Sequence, residues 1–174
     1  MSEIQYIDSV KHSNKKVFEA ELRKYANMLG IDPNWLQAVM FLESSLNPRA
    51  VNSVTGATGL VQFMPATARS LGTTTAALKE LTGEQQLYYV WKYLKPYAGK
   101  LHNFPDVYFA VFFPAAIGQP DTYVLQTSKL SARVIANANP GYDLNKDGQI
   151  TRGEVVTAIT DRLKKKGFFL LFRE

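Results

Sequence analysis

The sequence predicts a mainly α-helical fold in a single domain spanning residues 1–174. Three observations point that way. Capping residues precede apolar runs at helix starts, as in Asp32-Pro33 and Thr82-x-x-Gln85. Apolar residues recur every three to four positions, as in Phe18, Leu22, Tyr25 and Leu29. The chain has 174 residues, 46% hydrophobic and 20% charged, enough for one core of ordinary composition.

Residues 1–13 read as a loose arm or a short first turn. A helix follows from Asn14 to Leu29, ended by Gly30. Asp32 and Pro33 open a second helix, P-N-W-L-Q-A-V-M-F-L-E-S-S-L, with Leu36, Val39, Met40 and Glu43 on one face. Met64-Pro65 starts a short helix that ends near Gly72, and T-T-T-A-A-L-K-E-L is a capped turn of helix. The capping box Thr82/Gln85 opens a helix whose face is Leu87, Val90, Trp91 and Leu94, ended or bent by Pro96. Tyr88, Tyr89, Trp91, Tyr93 and Tyr97 sit at helical spacing and read as core rather than as a sugar platform, with the alternative that one exposed ring stacks on a sugar face. Phe104-Pro105 starts a helix that is apolar all round through Phe113, the pattern of a buried central helix. The tail G-F-F-L-L-F-R-E is too short to span a bilayer and is expected to pack back on the core.

The stretch from Glu43 to Gly72 carries the chemistry. Glu43 lies in line with core-facing residues of its helix, where desolvation disfavours the charged form. A carboxyl with a raised pKa suits a general acid near neutral pH. The loop after it, N-P-R-A-V-N-S-V-T-G-A-T-G, is rich in turn formers and folds back on itself. A core-facing acid at the mouth of a loop held between two helices is the expected form of a substrate cleft.

These residues carry a resemblance. Glu43-Ser44, Asn47-Pro48, Ala50, Asn52, then Gly56-Ala57-x-Gly59-Leu60-x-Gln62-x-Met64-Pro65-x-Thr67-Ala68 resemble the soluble Slt-type lytic transglycosylases, which have a goose-lysozyme-like fold similar to glycoside hydrolase family 23 and cleave peptidoglycan. The resemblance implies that Glu43 is the single catalytic acid/base. It implies that Gln62, Asn52 and Ser44 belong to the substrate site. Val61 stands where the family has Met in its G-L-M-Q motif. A later Ala-Tyr-Asn motif is replaced, with Phe113-Pro114 where Tyr-Asn is expected. Tyr108, Tyr123 and Tyr142 are the candidates to hydrogen-bond Glu43 in its stead.

A second motif is Asp143-Leu-Asn145-Lys-Asp147-Gly148-Gln149-Ile150-Thr151-Arg152-Gly153-Glu154, which fits the EF-hand calcium loop. Asp143, Asn145 and Asp147 would give side-chain oxygens, Gln149 its carbonyl, Thr151 a direct or water-mediated contact, and Glu154 two oxygens. Residues 128–137 and 154–165 are the expected entering and leaving helices, giving an EF-hand-like unit over 128–165. A lone loop points to a structural Ca²⁺ clamp, and some lytic transglycosylases are similar in carrying one EF-hand.

Net charge is +5, with Lys and Arg scattered and no nucleic-acid motif. There are no cysteines, which excludes disulfides and thiolate metal sites. His12 and His102 are isolated. No signal peptide and no membrane-spanning stretch is legible, so the reading is a monomer without membrane insertion. A wall-cutting enzyme without an export signal would suit a bacteriophage protein, held in the virion or in the host cytoplasm before release. Its expected partner is the peptidoglycan glycan strand, cut between N-acetylmuramic acid and N-acetylglucosamine to leave 1,6-anhydromuramoyl ends. The competing readings are a goose-type muramidase that hydrolyses the same bond and a non-enzymatic, calcium-stabilised wall-binding virion module.

Overall fold

A computed structural model describes residues 3–168 of the chain. Among the described residues eight α-helices carry the fold: α1 Lys15–Leu29, α2 Pro33–Ser44, α3 Pro65–Ser70, α4 Thr75–Glu80, α5 Gly83–Leu94, α6 Phe104–Phe112, α7 Ala132–Ala138 and α8 Arg152–Lys165. Short 3-10 turns at Ile7–Ser9, Lys95–Tyr97 and Pro114–Ala116 link them. Among the described residues β-structure is limited to the isolated bridges Val51–Thr58, Thr58–Phe63 and Val124–Thr151.

The helix limits follow from local chemistry. Asn14 caps α1 by accepting from the Val17 N–H, and Gly30 ends it in the left-handed region at φ 71°. Asp32 caps α2 in the same way through the Asn34 N–H, with Pro33 in the first turn. The side chain of Gln85 accepts from the Thr82 N–H at 2.9 Å at the start of α5. Pro96 and Pro114 each fall in a 3-10 turn just past a helix end.

Helix α2 is the hub, packing on α1, α6 and α8. Leu36, Ala38, Val39 and Met40 are fully buried along it. It ends abruptly: Ser45 and Leu46 both take positive φ, 53° and 57°. Such non-glycine residues cost about 1 kcal/mol or more each. Full burial of Leu46, whose carbonyl also accepts from the Lys11 N–H at 3.1 Å, holds the break in place. Glu43 therefore sits in the last turn of a rigid central helix.

Two expectations change. Of the two N-terminal alternatives the short turn holds, at Ile7–Ser9, and the arm around it is docked rather than loose. Buried Asn34 and Gln37 on α2 accept from the backbone N–H groups of Gln5 and Tyr6, both at 3.1 Å, and Ile4 and Val10 enter the core. The helix entering the acidic loop is shorter than 128–137. Thr127 Oγ1 accepts from the Lys129 and Leu130 N–H groups and turns the chain there, so the helix starts after Ser131, its cap. Of the apolar tail, Phe168 is buried and stacks on Tyr6 with ring centroids 4.1 Å apart. Residues 169–174, expected to pack on the core, lie outside the described residues.

Candidate active site

Glu43 lines a cleft of about 140 Å³ with Val61, Gln62, Phe63, Met64, Thr67, Tyr93, Val111 and Phe112. The loop after α2, the start of α3, α5 and the end of α6 each supply a wall. Glu43 is the one carboxylate in this lining. Among the described residues no hydrogen bond or ion pair engages it. Burial pushes its carboxyl up to about 7, and the positive charge of Arg162 on α8 opposes the rise without cancelling it. The group can hold a proton at neutral pH and release it within the same range.

The loop is fixed by its own backbone and by one buried side chain. Thr58 and Phe63 exchange N–H···O bonds of 3.0 and 2.9 Å, and the Gly59 N–H reaches the Ala50 carbonyl at 2.9 Å. Gln86 on α5, fully buried, accepts from the Leu60 N–H at 3.0 Å. Its amide donates to the carbonyls of Pro48 and Leu78 at 2.6 and 2.7 Å. Gly59 is required there: at φ 89° a Cβ would meet the Gln86 oxygen at 2.5 Å. Nothing in the local pattern marks Gln86, a polar residue on the apolar side of its helix.

The sequence-derived site residues divide. Gln62 is in the cleft wall, at the left-handed φ of 54°. Its amide faces the carbonyls of Ala50 and Gly59 at 3.3 and 3.1 Å. Ser44 Oγ lies 2.9 Å from the carbonyls of Met40 and Leu60, fastening the end of α2 to the loop. Asn52 is exposed, and its side-chain oxygen accepts from the Val54 and Thr55 N–H groups at 2.9 and 3.1 Å, turning the loop outside the cleft lining. Tyr108 is buried on α6, and its hydroxyl is hydrogen-bonded to that of Tyr142. Burial first, then the acidic neighbours Tyr142 and Glu43, drive the Tyr108 phenol far above its ordinary range. Tyr123 is not in the cleft lining; its carbonyl accepts from the Arg152 N–H at 2.8 Å.

Three participants escaped the sequence reading. Tyr93, assigned to the core, lines the cleft and has its phenol raised by burial, then by Tyr97 and Glu43. Phe112, not Phe113, lines the cleft at the end of α6. Arg162 is the cation felt at Glu43, and it comes from α8, far from the motif in sequence.

The acidic loop is closed by hydrogen bonds. Asp143 accepts from the N–H groups of Asp147 and Gly148 at 3.2 and 3.0 Å, and Asp147 from that of Gln149 at 2.9 Å. Asn145 accepts from the Asp147 N–H at 2.9 Å. Glu154 receives the N–H groups of Leu144, Asn145 and Thr151, and the Thr151 hydroxyl at 2.8 Å. Desolvation raises the Glu154 carboxyl, but the bonds from Thr151, Asn145 and Leu144 outweigh it and the net shift is downward. Among the described residues no three His, Cys, Asp or Glu side chains are gathered closely enough to hold a metal ion. The oxygens of Asp143, Asn145, Asp147 and Glu154 are instead occupied by the loop's own N–H groups and the Thr151 hydroxyl. Gly148 at φ 83° makes the sharp turn and Ile150 is fully buried.

The loop is anchored to the cleft helices. The Leu125 N–H donates to the Ile150 carbonyl at 2.8 Å, and Val124 bridges Thr151. Arg152, nearly buried, meets Asp106 of α6 at 3.1 Å, Asp121 at 2.9 Å and the Ala116 carbonyl at 3.2 Å. Tyr142 adds the bond to Tyr108.

Comparison with known proteins adds two findings. Residues 21–112, just over half of the chain, match the family described as the transglycosylase SLT domain. A 46-residue stretch is 54% identical to a transglycosylase of Enterobacteria phage PRD1, covering 26% of this chain and 17% of that relative. The family match runs from the middle of α1 to the end of α6 and leaves α7, the acidic loop and α8 outside it.

Proposed function

The chain belongs to the transglycosylase SLT domain family, and from that premise we propose that it is a peptidoglycan lytic transglycosylase with Glu43 as its single acid/base. The observation that carries this reading is the solitary, largely desolvated Glu43 carboxyl at the cleft, with a pKa near 7. Glycosidases that activate water or form a glycosyl-enzyme use two carboxylates. A lone carboxylate fits a reaction in which the substrate supplies its own nucleophile.

In this scheme Glu43, protonated at rest, gives its proton to the oxygen between N-acetylmuramic acid and N-acetylglucosamine. The C1–O bond breaks and positive charge develops on the muramic acid ring. The substrate's own acetamido group shelters that charge. The carboxylate of Glu43 then takes the proton of the muramic acid 6-hydroxyl, whose oxygen closes on C1. The products are a 1,6-anhydromuramoyl end and a free N-acetylglucosamine hydroxyl, and no water is consumed. Positioning of the 6-hydroxyl supplies much of the rate. Gln62 and Tyr93 border the reacting sugar, and the buried Tyr108 hydroxyl, which stays protonated, faces the Glu43 region from α6.

The acidic loop is a structural calcium site in this reading. Asp143, Asn145, Asp147, Glu154, the Gln149 carbonyl and Thr151 would hold the ion, which supplies charge neutralisation and no step of the reaction. Its support is the spacing of oxygen-bearing residues from Asp143 to Glu154, the sharp turn at Gly148 and the anchoring of the loop on α6. The protein acts as a monomer on the glycan strands of the bacterial wall. A bacteriophage setting, in a virion or in the host cytoplasm before release, agrees with its phage relative.

Mass spectrometry of muropeptides from purified peptidoglycan tests the function. Anhydromuramoyl products are expected. Products one water heavier would mean a muramidase, and an undigested wall would mean a non-enzymatic module.

A further inference from the structure

Beside the cleft lies a second depression, of about 260 Å³, lined by Phe41, Leu42, Ser45, Arg162, Lys165 and Lys166. It runs between the end of α2 and the end of α8. Its floor is apolar and one wall is basic. Lys165 and Lys166 lie three and four residues after Arg162, so both neighbour it on one side of α8 or its C-terminal continuation. All three are exposed, and among the described residues none of their side chains is in an ion pair. The Arg162 guanidinium has only a 3.4 Å contact to the Leu42 carbonyl. The depression adjoins the reaction centre: Leu42 precedes Glu43, and the charge of Arg162 is felt at the Glu43 carboxyl.

We propose that this groove seats the acidic peptide stem carried by the muramic acid, with Arg162, Lys165 and Lys166 receiving its carboxylates. The inference rests on the reading of Glu43 as the group that cleaves at that sugar. The stem leaves the sugar at C3, two bonds from the C1 that reacts, so it must pass within a residue or two of Glu43. The cations span about 6 Å of helix, the length of roughly two extended peptide residues. A stem with carboxylates a residue or two apart matches that interval. The apolar floor of Phe41 and Leu42 suits its alanyl methyl groups. The basic wall lies on α8, outside the family match, while Phe41, Leu42 and Ser45 lie inside it, so α8 would add stem recognition to a glycan-cutting core.

The test compares two soluble substrates, glycan strands with stems and the same strands after amidase removes them. The unmodified chain should show a KM about three- to tenfold lower on stem-bearing strands. Lys165→Gln/Lys166→Gln should erase that preference. Lys16→Gln/Lys129→Gln, which removes the same charge elsewhere, should keep it. Equal KM values for the unmodified chain, a preference that survives Lys165→Gln/Lys166→Gln, or equal loss in both variants would each overturn the proposal. Should the unmodified chain cut neither strand, the cleavage reading fails instead. Calorimetric titration with a soluble muramyl peptide then decides the groove alone: binding lost in Lys165→Gln/Lys166→Gln supports it, and no binding to the unmodified chain overturns it.

Discussion

The hydroxyl of Tyr108 on α6 is hydrogen-bonded to that of Tyr142, the residue immediately before the acidic loop. This contact ties the loop to the cleft wall, and the Arg152–Asp106 pair ties it a second time. Two segments far apart in sequence thereby share one mechanical unit.

Removing either hydroxyl strands the other. Tyr142→Phe leaves the buried Tyr108 oxygen unpaired and should cost about 1–3 kcal/mol. Tyr108→Phe/Tyr142→Phe should cost less than the sum of the single changes by about 1 kcal/mol. Urea denaturation of the four chains measures this coupling, and strict additivity would show that the bond contributes nothing.

Glu43→Gln should lower turnover on peptidoglycan by at least about 10²–10⁴-fold, the range of general acid–base catalysis. The fold should persist, since the amide fills the same space and carries no charge to desolvate. Release of anhydromuropeptides and a thermal melt report the two quantities. Turnover near the parent level in a folded variant would remove Glu43 from the reaction.

The pH dependence has a defined sign. Glu43 must start protonated, so kcat/KM should fall as pH rises through about 7. Stability moves the same way. The folded chain keeps this proton to about 7, whereas an ordinary glutamate loses it near 4.5, so the folded state binds more protons between them. Its contribution is complete below 4.5 and gone above about 7. At pH 8 Glu43→Gln should therefore exceed the parent by about 1–3 kcal/mol, and by little at pH 4. Guanidinium melts at the two pH values check this.

Arg152→Ala leaves Asp106 buried without its guanidinium. Loss of one partner of a buried pair typically costs about 3–5 kcal/mol. Chemical denaturation should show that loss. A change under about 1 kcal/mol would mean that the His102 and Gly118 N–H groups satisfy Asp106 unaided.

Calcium at about 100 times its Kd should stabilise the chain by about 2.7 kcal/mol. Glu154→Ala should abolish that gain, because the loop loses its bidentate donor. Differential calorimetry with calcium and with chelator is the measurement; coincident transitions in the parent would remove the calcium reading.

The helices were legible because their determinants are local. Asn14 and Asp32 cap at their own sites, Gln85 reaches back to the Thr82 N–H three residues before it, and Gly30 ends a helix through its own φ. Glu43 was legible as a core-facing acid because helical spacing alone puts it beside Leu36, Val39 and Met40. The motif around it was legible because loop and acid are contiguous in the chain. The docked N-terminal arm was not, because it depends on buried Asn34 and Gln37 bonding to a backbone elsewhere.

Tertiary structure decided which side chains share the cleft. Tyr93 comes from α5, Phe112 from α6, and Arg162 reaches the neighbourhood from α8. Hydrophobic periodicity tells that a tyrosine faces inward, not whether that inward side meets core or cavity. The same limit hid Gln86, which holds the loop by two bonds and α4 by a third, and Arg152, whose partners lie on α6 and beyond it. Sequence by itself set the acid and the helix that carries it. Long-range packing set the acid's proton affinity, because desolvation and the opposing Arg162 charge arise only when distant segments converge.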